Sequence, residues 1–446
     1  MNRTQPEANL IPLNEGIPRG WQSGPLLEFL ELQRGVDLPV QERRNGRFPI
    51  FGSNGVLGHH DTFVSNGPGV ITGRSGTIGK LFYTNEQYWP LNTSLYVKNF
   101  KGNLPKFVFY KLDEIGLERF STGTGVPTLN RNVVHKEMVA FPQLPEQQKI
   151  AAILTTVDEK LDMIARQIAA TQTLKQGLMQ TLFSRGVGTD AGGHWVPHIH
   201  FEDSELGAIP AAWTVVTVGD VIQKLMDFRG RTPKKLGLDW GNGCIPALSA
   251  NNVRMGYVDF ERECYLGSDE LYRAWMVQGD TQRHDLVFTM EAPLGNVAVL
   301  PDDRKYILSQ RVILMRPNQR ISYRYFFQYL RSNIFSDILD VNSTGTTAKG
   351  IQQKRLVKLP VLLPDMAEQE KIADVLGAVD SKLNALKQKQ SRFQKLKHGL
   401  MQKLLTGEWR VKVDANVAAR GGSELLTYRH STPAVSRANS LAEEHL

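Results

Sequence analysis

The segment Gly73-Arg-Ser-Gly-Thr-Ile-Gly-Lys80 sets glycines, hydroxyls and a lysine in an order used by backbone loops that cradle phosphate. It is not a nucleotide-binding P-loop, because that pattern needs Gly where Arg74 stands and Ser or Thr where Leu81 stands. Two readings stay open, a basic Gly-rich turn facing DNA or a plain hairpin. Further groups suited to a nucleic acid surround it. Arg43, Arg44 and Arg47 precede Ser53 and Asn54, and His59, His60, Arg74, Ser75, Thr77 and Lys80 follow. A second set, Arg229, Arg231, Lys234 and Lys235, precedes Asn251, Asn252 and Arg254. Arg and Lys neutralise phosphates or grip guanine, whereas Asn presents the donor-acceptor pair that suits adenine. A duplicated Ser-Thr-Gly-Thr adds Thr122 and Thr124, followed by Asn130 and Arg131, and Thr344 and Thr346, followed by Lys349. Its hydroxyls and amides suit phosphate oxygens, and equally suit a turn that ends a strand.

Catalytic chemistry is harder to place. The chain has no Pro-Pro pair, which removes the Asp/Asn-Pro-Pro-Tyr/Phe pattern of amino-methyltransferases, and neither HExxH nor GxSxG occurs. Pro364-Asp365 followed by Asp380-Ser-Lys382 has a nuclease-like order, but Asp380 and Lys382 stand two apart on a helix and face different directions. The only cysteines, Cys244 and Cys264, form no zinc-ligand or disulfide spacing, so no metal or cofactor is expected on this chain. Lys and Arg outnumber Asp and Glu by 53 to 45, and the net charge of +8 points modestly to a polyanionic partner. The start, Met1-Asn-Arg-Thr-Gln-Pro, lacks the blocks of a signal peptide, and no run of about 18 apolar residues could span a bilayer. A cytoplasmic protein is expected.

The elements that must hold these loops come in two copies. Residues from Glu146 to Leu182 recur from Glu368 to Leu404 at an offset of 222, with 18 of 37 positions identical. A period that long implies a whole domain plus a helix as the repeating unit. Short β-branched and aromatic runs broken by Gly, Asn and Pro predict mainly β domains with long loops at 17–144 and 209–363. Both open alike, with Ile17-Pro-Arg-Gly-Trp21 matched by Ile209-Pro-Ala-Ala-Trp213, while Val70-Ile-Thr aligns only loosely with Leu286-Val-Phe. The first domain carries 14 basic against 10 acidic residues, and 207–363 carries 20 against 15.

Two long spacer helices are expected at 145–186 and 364–408, joined by a linker at 187–208, with tails at 1–16 and 409–446. In the first, Ile150, Leu154, Val157, Leu161, Ile164, Ile168, Leu178 and Leu182 fall at coiled-coil spacing. Ile372, Leu376, Val379, Leu383, Leu386, Leu400 and Leu404 do so in the second. The seams are interrupted at Lys175 and Lys397, beside Gly177 and Gly399, where a repeated glycine predicts close approach of the helices. Matched seams in one chain can pair antiparallel, which would hold the two β domains at opposite ends of a rod.

These motifs together resemble the DNA-specificity subunit of type I restriction-modification systems, from about Ile17 to Glu408. The resemblance rests on the two Ile-Pro-x-x-Trp openings, Phe51-Gly-Ser-Asn-Gly55, Gly76-Thr-Ile-Gly79 and the helix starts at Leu144 to Ile150 and Pro364 to Ile372. It implies an α+β fold with two target-recognition domains and an antiparallel intramolecular coiled coil related by a pseudo-two-fold repeat. Each domain would read half of an asymmetric, bipartite site in double-stranded DNA. Two methyltransferase subunits and two restriction subunits are the implied partners, and S-adenosylmethionine, ATP and Mg2+ belong to them. A specificity subunit serving a fused methyltransferase-nuclease, or a coiled-coil adaptor whose β domains bind protein, remain alternatives at this level.

Overall fold

The computed structural model describes residues 17–122, 127–345 and 348–412, so Thr124 and Thr346 lie outside the described residues. The chain divides into two compact units. One takes residues up to Met163 together with those from Gln390 onward, and the other is Ile164–Lys389.

In the first unit an antiparallel sheet runs in the order Glu31–Arg34, Ser94–Asn99, Gly69–Gly73, Leu81–Thr84. A smaller sheet orders Gly55–His60, Phe48–Gly52, Trp89–Pro90, its last pair parallel. Side chains alternate across a strand, so neighbours go to opposite faces. Val70, Leu95 and Val97 enter one core with Phe107 and Tyr110 of the helix Pro105–Ile115, while Ile71 and Tyr96 join Phe51 and Tyr88 in another. Burial on both faces explains why these strands read as unbroken apolar runs.

The second unit repeats this plan. Its four-stranded sheet is Ile222–Asp227, Val312–Pro317, Leu286–Thr289, Val297–Val299, and its three-stranded sheet is Tyr265–Gly267, Ile245–Leu248, Ile307–Leu308, again with one parallel pair. Leu286, Phe288, Ile313 and Met315 face the core shared with the helix Tyr323–Leu330, and Val287, Val312 and Leu314 face the other side. The loosely matched Val70-Ile-Thr and Leu286-Val-Phe therefore occupy the same strand of the same sheet. The repeat extends through the whole domain interior.

The long helices are Leu144–Arg185 and Met366–Leu404. Gly186, at φ +68°, ends the first by a left-handed turn whose N–H donates to the Leu182 carbonyl, and Gly407 at φ +76° follows the second. All the seam residues expected from the sequence are buried or half-buried. Thr171 and Lys175 in one helix, and Gln390, Phe393 and Lys397 in the other, complete both seams at alternating steps of four and three. In the first unit Ile150 and Leu154 share a core with Met401, Leu404 and Leu405; in the second Ile372 and Leu376 share one with Leu182 and Phe183. Within each unit the start of one helix thus meets the end of the other, which is the antiparallel arrangement. Gly177 and Gly399 do not mark close approach, since a Cβ at either meets no atom within 4 Å. They fall outside the seam positions, on the outer face.

The lysine interruptions are ion pairs. In the second unit Lys175 Nζ donates to Asp380 Oδ1 at 2.6 Å, and Asp380 Oδ2 accepts from Arg331 Nη1 at 2.7 Å and Gln328 Nε2 at 2.9 Å. In the first unit Lys397 Nζ lies 2.7 Å from Asp158 Oδ1, and the Tyr110 hydroxyl donates to Asp158 Oδ2 at 2.7 Å. Burial disfavours the ionised Asp380 carboxylate, but the hydrogen bond and charge of Arg331, with Gln328 and Lys175, outweigh it and hold Asp380 below the usual carboxylate range. Burial and the adjacent Arg331 charge push Lys175 below the ordinary lysine range. Both pKa values fall, which favours the charged form of Asp380 and disfavours that of Lys175, because Asp380 faces two cations whereas Lys175 must share its anion with a second cation. The carboxylate is the secure member.

Asp380→Ala should therefore destabilise the protein by about 2 to 3 kcal/mol in denaturant unfolding, since it leaves two poorly solvated cations without an anion. With the folded pKa depressed, the contribution of Asp380 is complete above the unfolded carboxylate value of 3.8 and is lost as pH falls through the lower folded value. The alanine variant should lack that part of the acid limb.

Candidate nucleic-acid interface

The Gly73 to Lys80 loop leaves the central sheet at its strand end and is held by backbone bonds on two sides. Arg74 N–H donates to the Thr93 carbonyl at 2.8 Å, Leu129 N–H donates to the Arg74 carbonyl at 2.8 Å, and Gly76 N–H donates to the Pro127 carbonyl at 3.2 Å. Ser75 bridges Thr128, and Thr122 pairs with Thr128 across a two-residue ribbon. Lys80 Nζ donates to Asn54 Oδ1 at 3.1 Å. Ser53, Asn54, Arg74, Ser75, Thr77, Lys80, Thr122 and Asn130 therefore belong to one cluster of adjoining loops. Arg43, Arg44, Arg47 and His59 do not join them and sit at the open end of the hairpin, where Phe48 pairs His60. There Arg44 Nε is 3.1 Å from Asp61 Oδ2, Arg47 lies over the Phe48 ring, and His60 is buried while His59 is exposed.

Beside the loop cluster is an open cleft of roughly 650 Å³, lined among others by Glu31, Arg34, Arg74, Thr122, Asn130 and Arg131. Asn130 caps the short helix Arg131–Val134 by accepting from Asn132 N–H at 3.0 Å. Burial and the Arg131 charge push the His135 imidazole below its usual range, in keeping with a neutral ring whose Nε2 accepts from Leu32 N–H at 2.9 Å. That bond ties the strand bearing Arg34 to the segment bearing Arg131.

In the second unit the corresponding loop is built on the same bonds: Met290 N–H donates to the Arg311 carbonyl at 2.8 Å and Ile351 N–H to the Met290 carbonyl at 3.1 Å. Arg229 and Thr344 line a cleft with Glu291 and Gln353, and Asn251 and Arg254 line a neighbouring one with Arg311. Many of the other candidates are engaged internally. Arg229 is held by both Asp227 oxygens at 2.6 to 3.0 Å, Arg231 Nη1 donates to the Trp275 carbonyl at 2.7 Å, and Lys235 Nζ to the Gly230 carbonyl at 2.7 Å. Asn252 is buried, accepting from the Ser249 hydroxyl at 2.9 Å and donating towards three carbonyls of its own loop. Lys349 Nζ donates to Asp340 Oδ1 at 2.9 Å, while Lys234 is exposed on a short 3-10 helix.

Arg34 was not a sequence candidate. It ends an ordinary strand about 40 residues before Arg74, and only strand pairing brings the two to one cleft. Among the described residues no group of acidic, His and Cys side chains is placed to hold a metal ion, and no helix is long and apolar enough to cross a membrane.

The family model described as the type I restriction modification DNA specificity domain matches residues 18–172 and 210–393. The chain is 28% identical over 425 residues to the type I restriction enzyme MjaVIII specificity subunit of Methanocaldococcus jannaschii, covering 89% of this chain and 94% of that one. It is 21% identical to the EcoDI specificity subunit of Escherichia coli, covering 89% and 91%. Its fold matches the crystal structure of a type I S subunit from M. genitalium with a TM-score of 0.59 at 17% identity, covering 89% of this chain and 98% of that one.

The loop geometry leaves no room at its root. A Cβ on Gly73 would lie 1.7 Å from the Thr77 carbonyl oxygen and 2.8 Å from that of Ser53. Gly73→Ala should cost about 1 to 3 kcal/mol and raise hydrogen exchange across residues 73–80, whereas Gly177→Ala, a helical position where a Cβ meets no atom within 4 Å, should leave exchange there unchanged.

Proposed function

Because the chain belongs to the type I restriction modification DNA specificity family, whose model covers both halves of it, we propose that its two domains each read one half of a split, asymmetric site in double-stranded DNA. The chain is the specificity component and not the catalytic one. In this reading the paired helices set the length of the unread gap, and they dock two methyltransferase subunits. Those subunits supply S-adenosylmethionine-dependent adenine methylation, and two restriction subunits supply ATP- and Mg2+-dependent cleavage. The complex acts in the cytoplasm.

The observation that supports an asymmetric site is the contrast between frame and loops. Sheet order, the helix starts and the cross-helix ion pairs recur in both copies. The loops carried on that frame differ in sequence, as at Arg74-Ser75 against Met290-Glu291. Two readers of unlike chemistry on one frame suit two unlike half-sites.

Co-expression with the cognate methyltransferase, followed by genome-wide mapping of methylated adenines, tests the reading. The expected result is a single split motif with different halves; absence of any motif despite an active methyltransferase would refute it. Inserting four residues after Thr171 should add about 6 Å of helix at 1.5 Å per residue. The gap should then lengthen by about one to two base pairs at 3.4 Å each, with both half-sites unchanged in the methylation map.

A further inference from the structure

We propose that the cleft of the first domain formed by Arg34, Arg74 and Arg131 is the main anchor for DNA phosphates, and that the equivalent place in the second domain has lost this role. The inference rests on the DNA-reading function proposed above.

The three arginines come from separate elements: the end of the strand Glu31–Arg34, the start of the Gly73 to Lys80 loop, and the first turn of Arg131–Val134. Among the described residues, none of them forms an ion pair with a carboxylate. Among the described residues their only side-chain hydrogen bonds are long, from Arg74 Nη1 to the Asn92 carbonyl at 3.4 Å and from Arg131 Nη1 to the Leu32 carbonyl at 3.4 Å. Glu31 lines the same cleft, so one carboxylate faces three guanidinium groups. A guanidinium keeps its charge at any physiological pH, and three around one opening leave a net positive charge that phosphodiester oxygens can neutralise.

The repeat supplies an internal comparison. Strand pairing places Asp227 opposite Ile313 as Arg34 is placed opposite Leu95, so Asp227 occupies the position of Arg34. Matching backbone bonds put Met290 at the position of Arg74, and Gln353 begins the short helix that corresponds to that of Arg131. All three cations are replaced. The charges that remain there are already neutralised, Arg229 by Asp227 and Glu291 by Arg311 Nε at 3.1 Å. Among the described residues that line it, the second domain's cleft offers no unpaired positive charge.

The test measures affinity of the full chain for duplex DNA by fluorescence anisotropy over a range of KCl concentrations. Each neutralised phosphate contributes about 0.9 to the slope of log K against log salt. The Arg34→Gln, Arg74→Gln, Arg131→Gln triple variant should lower that slope by about 2 to 3, and the matching triple Arg→Lys variant should retain most of it. Arg304→Gln, which removes a guanidinium already paired with Asp302, should leave the slope unchanged. If the triple Gln variant melts below wild type, Arg34→Gln alone, on an exposed side chain, should lower the slope by about 1. An unchanged slope in the Gln variants, with wild-type binding still salt-dependent, overturns this proposal and leaves the DNA-reading function standing. Wild-type binding without salt dependence would instead remove the function on which it rests. Inorganic phosphate added at constant ionic strength should compete only weakly; full displacement of DNA by it would mean a free-phosphate site and would also overturn the proposal.

Discussion

Each long helix begins with a carboxylate that is almost fully enclosed, Glu146 in one copy and Glu368 in the other. A buried carboxylate is tolerated only where donors surround it. Glu146 accepts from the Trp21 indole at 3.2 Å and from two Arg410 nitrogens at 2.8 Å. Glu368 accepts from the Trp213 indole at 2.7 Å and from the N–H groups of Val187 and Gly188, with His198 Nε2 at 3.0 Å. The next residue repeats the device: Gln147 and Gln369 each accept one backbone N–H, from Leu104 and Ser322, and donate to the carbonyls of Pro142 and Pro364. These contacts join the opening of each β domain, its sheet-covering helix and its long helix into one rigid corner. The loop clusters are positioned from there.

The dependence on that corner explains which parts of the duplication kept their sequence. Ile-Pro-x-x-Trp and Glu-Gln stand 125 residues apart in the first copy, yet they are the two sides of one hydrogen bond. In each Ile-Pro-x-x-Trp turn the tryptophan N–H donates to the proline carbonyl, at 3.0 Å for Trp21 and 2.9 Å for Trp213, which aims the indole at the carboxylate. Asp158 with Lys397 and Asp380 with Lys175 add a second constraint. Apolar side chains slide past one another at little cost, whereas a displaced ion pair in a seam leaves charges poorly solvated, so the lysines fix the register of the antiparallel pair. Loop positions carry no such obligation and are free to differ.

The helices, their seams and the existence of two β domains were legible in the sequence because period and repetition are local signals. The ends of the seams at Leu178, Leu182, Leu400 and Leu404 were legible too, but Lys175 and Lys397 read as interruptions because their anions lie about 200 residues or more away in the chain. Gly177 and Gly399 misled for a related reason. A glycine in a helix signals either close approach or mere tolerance, and only the phase of the completed seam separates the two. The candidate arginines show the same limit. Arg34 lies in a strand with no motif, and Arg229 reads as a free cation until Asp227, two residues earlier, is seen to fold back on it.

The equal frames and unequal clefts fit together physically. A reader of DNA needs a sequence-independent grip that fixes its register and a separate set of groups that discriminate bases. When two readers belong to one chain, an electrostatic grip in one serves both, since docking one domain raises the effective concentration of DNA at the other. On the proposal that the first cleft is the main phosphate anchor, having Asp227, Met290 and Gln353 in place of Arg34, Arg74 and Arg131 leaves that grip with the first domain. It also limits non-specific attachment, because each additional phosphate contact strengthens binding to every sequence alike. A second cleft whose one lining arginine, Arg229, is paired with Asp227 adds less of that background, so unequal clefts suit a linked pair of readers.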